Sequence, residues 1–453
     1  MSALSMTAWT QGLVKPVAGT NVKPTASGNV KPAAASTVKP VLNPSTTPVL
    51  KNAPAMITGA QSISGVIPAE GPRATAITIS GQKFGTVQSD VQVKINGVSA
   101  IITGMSDNQI TCVVPDRCGS GAISVAVKGK WASGGYFQYD WAANISTFAP
   151  TAGSSVGMQS PHGIARDAAG YLYVADAQAQ KIFKVNNFGE VSVLAGSGAS
   201  GFADGQGAAA QFYNPAGVAV DGSGNVYVTD YSNYRVRKIT PSGMVSTLAG
   251  NGKQGYVDGA GVTAKFGYIY GICTDPSGNI YVIDGSRIRK ITPQGYVSTV
   301  AGTDRWNSQL TGPALSVSFL NPTGILVSSS HDIYITDGTN LIRKISASGT
   351  VTTVAGSGQS GLSDGYGTDV KFQGLSGIAM DATGNLYVTE TNSAYDVGNM
   401  ASRIRKIARD GAVSTPTGQT NNLSQPCGLV IDPSGAIYVA DAIKHCIRKI
   451  TLQ

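Results

Sequence analysis

Charge is scarce in this chain: only 13% of its 453 residues are Asp, Glu, Lys or Arg. That excludes a coiled coil or a long helical protein, whose exposed faces need far more charge. Histidine is scarcer, with three in the chain (162, 331 and 445), too few for a multi-histidine metal centre. No apolar run approaches the roughly 18 residues that cross a bilayer, so no membrane span is expected. Five cysteines (112, 118, 273, 427 and 446) do not make a disulfide framework at this length. The opening MSALSMTAWTQGLV lacks the basic n-region of a secretory signal. The expectation is a protein of a virion or an extracellular assembly, reached by an unconventional route. What is abundant is turn chemistry: 57 Gly and 21 Pro point to an all-β chain of short strands and tight connections.

The net charge of +8 is unevenly placed. Residues 1–54 hold five Lys (15, 23, 31, 39 and 51) and no acid, while the rest is close to balance. A large basic surface is therefore not implied, and nucleic acid is an unlikely partner. Within this segment Val14-Lys15-Pro16, Val22-Lys23-Pro24, Val30-Lys31-Pro32 and Val38-Lys39-Pro40 recur every eight residues among small side chains. Proline at that density forbids helix and central strand and leaves an extended, polyproline-like arm. The arm reads as a spacer, or as an assembly element whose Val-Lys-Pro units dock on neighbouring subunits or a scaffold protein.

From Ile77 the pattern alternates with period two: Ile77 to Gly81, Val91 to Ile95 and Ile123 to Val127, separated by Gly, Asn and Pro turns. Residues 55–142 read as a small half-buried sandwich. Gly71-Pro72, ITISGQKFG from Ile77, Ile95-Asn96-Gly97-Val98, ITCVVP from Ile110 and Gly121 to Val127 resemble an IPT/TIG domain, an immunoglobulin-like module. The resemblance implies a spacer or adhesive role and no chemistry. Cys112 and Cys118 are close enough across a turn to bridge, and two free thiols are an equal alternative.

Residues 143–453 hold an internal repeat. Gly followed by an aliphatic residue recurs at 163, 217, 271, 324, 377 and 428. One unit runs Ala216 to Asp221, Asn225 to Asp230, Arg235 to Thr240 and Val245 to Gly250: four short strands, the mark of a propeller blade. These units resemble NHL repeats, which implies a six-bladed β-propeller. The sixth unit lacks its fourth strand, and Ile145-Ser146-Thr147-Phe148-Ala149 stands before the first unit as a copy of Val245 to Ala249. The N-terminal strand is expected to close the ring.

Strand direction puts the 2–3 and 4–1 loops of every blade on one face. Those loops vary, and variable loops on a rigid scaffold carry function. The expected ligand-binding face holds His162, Tyr231, Tyr270, Arg305, Trp306 and Tyr395, with a protein or a glycan as ligand, since aromatic rings bury area at low entropy cost. His162, Ala216, Tyr270, Thr323, Ser376 and Cys427 head the first strands and should ring the channel mouth.

Other patterns read as scaffold. GSGASG from Gly196 spells a dinucleotide fingerprint but leads into Phe202-Ala203-Asp204-Gly205 rather than a helix. The acid closing each second strand (Asp176, Asp230, Asp284, Asp337, Glu390 and Asp441) reads as a turn cap or a partner of the neighbouring Arg. The Asp-Gly pairs at 204, 258 and 364 read as turns, with calcium ligation the alternative. The third strands form a basic belt (Arg235, Arg237, Lys238 and their counterparts), dispersed between blades, with RNA binding the alternative. No nucleophile–base pair can be assembled, so no enzyme, no cofactor and no metal are expected. A lyase or hydrolase with its site at the channel mouth is the runner-up.

Overall fold

The computed structural model describes residues 61–452 apart from 72, 116–117, 119, 140–142, 152–153, 304–308, 392–401 and 418–421. The Val-Lys-Pro arm lies outside the described residues.

The N-terminal sandwich is built from strands Ser62–Ile67, Glu70–Gly71, Ala76–Gln82, Val91–Ile95, Val98–Ser106, Gln109–Val113, Gly121–Val127 and Lys130–Tyr139. Its two halves are one sheet, continuous through Val98–Ser106. That strand pairs with Val91–Ile95 over residues 98–100 and with Gln109–Val113 over residues 101–106. The alternation buries one side of each strand. Ile77, Ile79, Val93, Ile95, Ile110, Val125 and Phe137 form the core. Cys112 and Cys118 are both buried and are not joined to each other, so the bridge alternative falls, and burial pushes the Cys112 thiol up to about 12.

Six four-stranded antiparallel sheets follow, the blades of a β-propeller. The second blade is typical: Pro215–Val220, Val226–Asp230, Arg235–Ile239 and Met244–Ala249. The second strands are buried throughout in five blades, because a blade is covered by a neighbour on both sides and each of its strands reads as an apolar run. The ring closes as expected. Ala143–Ala149 pairs with Cys446–Leu452 and completes the sixth blade behind Pro426–Ile431 and Ile437–Asp441.

The repeated glycine has a steric cause. A Cβ on Gly163 would lie 2.6 Å from the Ala216 carbonyl oxygen, and one on Gly428 would lie 2.7 Å from that of His162. The same conflict, with the residue just before the next blade's glycine, arises at Gly217, Gly271, Gly324 and Gly377. The innermost strands approach too closely for any side chain there. In three blades a buried threonine pins the next blade: Thr229 Oγ1 accepts from Gly217 N–H and donates to the Tyr270 carbonyl, both at 2.7 Å. Thr336 and Thr389 repeat the arrangement on Ser376 and Cys427.

The blades depart from a plain four-strand pattern. The long 4–1 loops do not stay on the variable face. They run to the rim, where Gly205–Gln206, Gly312–Pro313 and Gly365–Tyr366 add a fifth, two-residue strand to the second, fourth and fifth blades. The sandwich meets the fifth blade at this rim. There Tyr366 takes a hydrogen bond from the Ala122 backbone and donates to Asp410 at 3.2 Å.

Candidate ligand-binding site

A set of arginines and their acid partners is locked inside the propeller. The Asp230 carboxylate accepts the Tyr213 N–H at 2.8 Å and the Arg237 guanidinium at 2.7 Å. Arg237, fully buried, also donates to Asp204 at 2.6 Å. Arg289 joins Asp284 (2.5 Å) to Asp258 (2.7 Å), Arg405 joins Glu390 (3.1 Å) to Asp364 (2.8 Å), and Arg343 pairs with Asp337 (3.3 Å). Four of the six acids closing the second strands are thus partners of an Arg, while Asp176 and Asp441 cap backbone N–H groups instead, those of Gln159 and Ser160 and those of Ser424 and Gln425. Asp204, Asp258 and Asp364 do more than turn the chain: each ties its loop to a buried Arg and to a threonine of the outer strand (Thr247, Thr299, Thr415). Among the described residues no group of His, Cys, Asp or Glu could hold a metal ion. Burial raises the Asp284 carboxyl to about 6 against the pull of Arg289.

The basic belt is likewise internal. Arg237, Arg289, Arg343 and Arg405 are fully buried. The lysine that follows each stacks on a second-strand tyrosine, as Lys238 does on Tyr227 (5.9 Å) and Lys290 on Tyr281 (5.8 Å). These side chains do not form an exposed basic surface.

The channel mouth gathers the expected set. His162, Ala216, Tyr270, Thr323, Ser376 and Cys427 line one cavity of about 80 Å³. Register shifts at the head of the first strands lift these residues out of the ladder. His162 Nδ1 lies 3.0 Å from the Ser160 carbonyl, which can only accept, so the proton sits on Nδ1 and Nε2 is left as an acceptor. Burial lowers the His162 pKa and keeps the ring neutral. Cys427 donates to the Gln425 carbonyl at 3.5 Å, and burial lifts its thiol to about 12. Each bonds to its own strand's approach rather than to the other. His331, at φ 62°, is a turn residue below the blade, and His445 Nδ1 is engaged by the Gln159 carbonyl.

Beside the channel, at the junction of blades two and three, four tyrosines converge. Tyr231 and Tyr268 stack with centroids 4.9 Å apart and planes 24° apart. Tyr234 tilts against Tyr268 at 5.5 Å and hydrogen-bonds to it through the side chains. Tyr270 stands in the channel wall, its carbonyl held by Thr229. Tyr268 remains 47% exposed. Burial raises the Tyr231 hydroxyl to about 12.

The six blades allow an internal comparison. Where blade two has Tyr231, the others carry Ala177, Gly285, Gly338, Thr391 and Ala442. Where blade three has Tyr268, they carry Ser160, Asn214, Asn321, Gly374 and Gln425. Tyr234 sits at φ 53°, in the left-handed region that disfavours bulky residues, whereas Asn340 takes the same position at φ 60°. The scaffold does not ask for these tyrosines. By the same test Phe202 and Tyr256 are scaffold, because each covers the first Arg of a third strand (Arg235 at 3.7 Å, Arg287 at 4.0 Å).

Of the six residues expected on this face, the structure brings His162 and Tyr270 to the channel mouth and Tyr231 beside it, while Arg305, Trp306 and Tyr395 lie outside the described residues. Tyr268 and Tyr234 were missed. The signal that finds them is departure from the blade consensus, not the length of a loop.

The IPT/TIG domain model matches residues 62–139, and the NHL repeat model matches residues 212–239. The chain joins an IPT/TIG domain to an NHL-type six-bladed propeller. Its relatives include Protein SUPPRESSOR OF QUENCHING 1, chloroplastic, of Arabidopsis thaliana, 27% identical over 283 residues, covering 57% of this chain and 27% of that protein. Teneurin-3 of Danio rerio is 28% identical over 220 residues, covering 40% and 8%. NHL repeat-containing protein 2 of Gallus gallus is 24% identical over 327 residues, covering 62% and 45%. The chain thus spans less than half the length of each. A protein of unknown function from Bacteroides thetaiotaomicron shares the fold, with a TM-score of 0.52 at 18% identity over 87% of this chain and 99% of that one. No helix among the described residues is long and apolar enough to cross a membrane.

Proposed function

We propose that the NHL propeller is a non-enzymatic binding module whose variable face takes a protein or glycan ligand. On this reading the IPT/TIG domain is its spacer, and residues 1–54 hold it in a larger assembly such as a virion, tail or surface fibre. The observation that carries the reading is the tyrosine cluster. Four rings stand together at one blade junction, and no other blade has a Tyr, Phe or Trp at these positions. Large rings that the fold does not need, half-exposed at the lip of a channel, suit a ligand site. The state of the channel residues supports the binding reading: burial holds the thiol of Cys427 protonated and the ring of His162 neutral.

The test is capture of ligands by the full chain from protein and glycan arrays, repeated with Tyr231→Ala. Tyrosine-dependent capture, with the ligand recovered chemically unchanged by mass spectrometry, is the expected result. Turnover of the captured ligand would shift the reading to an enzyme.

A further inference from the structure

The charges around the tyrosine cluster are already engaged. Asp230 is held by Arg237. Arg235 lies on the Phe202 ring and donates to the Asn233 and Asn251 carbonyls, both at 3.2 Å. His162, across the channel mouth, is neutral. The described charges beside the rings are thus occupied by partners of their own, and a charged ligand would lose hydration with little recompense from them. What the site presents is ring surface and neutral polar groups. Tyr268 gives one ring face to Tyr231 and keeps nearly half of its surface open. On the far side of Tyr231 an array of amides and a hydroxyl is fixed in place: Gln180 Oε1 accepts the Asn214 N–H at 2.7 Å, and Asn214 Nδ2 donates to Ser232 Oγ at 3.0 Å. Thr323 and Ser376 add hydroxyls to the wall of the cavity that Tyr270 also lines.

Resting on the binding reading above, we infer that the ligand is a neutral oligosaccharide. A pyranose ring has an apolar face of axial C–H bonds and a rim of hydroxyls. The first stacks on an open aromatic ring, and the second pairs with amides and hydroxyls that carry no charge. One sugar lies on Tyr268, and the next reaches the channel mouth at Tyr270. The left-handed backbone at Tyr234 fits this use. An asparagine would be more comfortable there, so the ring that braces Tyr268 comes at a cost in local strain.

The test uses the full chain, titrated with an array of neutral oligosaccharides of the common hexoses, pentoses and N-acetylhexosamines and followed by saturation-transfer NMR. Binding of at least one, weakened roughly tenfold or more by Tyr268→Ala and largely kept by Tyr268→Phe, is the expected result. The affinity should hold as salt rises from about 0.1 M to about 1 M, since no ion pair is involved. Tyr234→Asn is the second variant. It should raise the unfolding temperature while weakening the sugar, which separates loss of ligand from loss of fold. Capture of a protein that depends on the tyrosines, with no saccharide bound, overturns the saccharide assignment and leaves the binding face standing. Indifference of every ligand to the tyrosine substitutions overturns both.

Discussion

The narrowest point of the molecule is set by single atoms. Where six strands crowd one axis, a methyl group has no room, and the glycine at the head of each first strand is the consequence. Replacing Gly217 by Ala drives a Cβ into the Tyr270 carbonyl and into the threonine that holds it. The expected loss is about 1–3 kcal/mol in urea unfolding. Gly222→Ala, at a turn where a Cβ meets nothing within 4 Å, should be close to neutral. The glycine ladder was legible in the sequence because sterics allow no substitute, so the residue repeats in every blade. The tyrosine cluster was legible only in part. Tyr231 and Tyr270 stand out individually, but the stack they join is completed by Tyr268, which is 37 residues from Tyr231 in number and adjacent to it only once the blades close.

At the scale of elements, five of the six blades are turned by an aspartate that caps its own hairpin, and Ser328 takes that place in the fourth. Asp221 Oδ1 accepts the N–H groups of Ser223 and Asn225, both at 2.9 Å, and its other oxygen accepts the Tyr227 hydroxyl. Asp275, Asp381 and Asp432 repeat the turn. Burial alone would raise these four pKa values, but the hydrogen bonds outweigh it and each lies below the ordinary 3.8. A depressed folded pKa gives stability that is present above the unfolded value and lost as pH falls through the folded one. Asp284, raised to about 6 by burial, acts in the opposite sense: its contribution is present below 3.8 and is lost as pH rises through about 6. The unfolding temperature should therefore fall steeply below about pH 4. Between about pH 4 and pH 6 a shallow decline with rising pH is expected, and Asp284→Asn should flatten it. Calorimetry across that range checks both signs. The fifth strands of the rim left no trace in the sequence, because a two-residue pairing has no periodicity to detect. The Asp-Gly pairs looked like turns for a related reason: their Arg partners lie more than 30 residues away.

At the scale of the whole molecule, the strand that closes the ring is also the continuation of the sandwich. Lys130–Tyr139 ends the one, and Ala143–Ala149 begins the other. Removing residues 1–149 should leave the sixth blade with a bare edge at Cys446–Leu452, and such edges recruit other chains. Light scattering is expected to find that form aggregated. Removing residues 1–54 should leave the fold monodisperse and abolish only the assembly proposed for the arm. An aggregate from the shorter deletion would instead give those residues a part in the fold.

The closing strand also gives the propeller a mechanical direction. Ala143 lies opposite Leu452, and Ala149 lies opposite Ile447. A pull between residues 143 and 452 therefore acts at one end of the pair and parts its hydrogen bonds in succession. A pull between residue 143 and a ligand seated over blades two and three acts along the strand and loads those bonds together. A propeller tethered at its N-terminal side resists traction from the face that carries the tyrosines far better than traction on its own two ends.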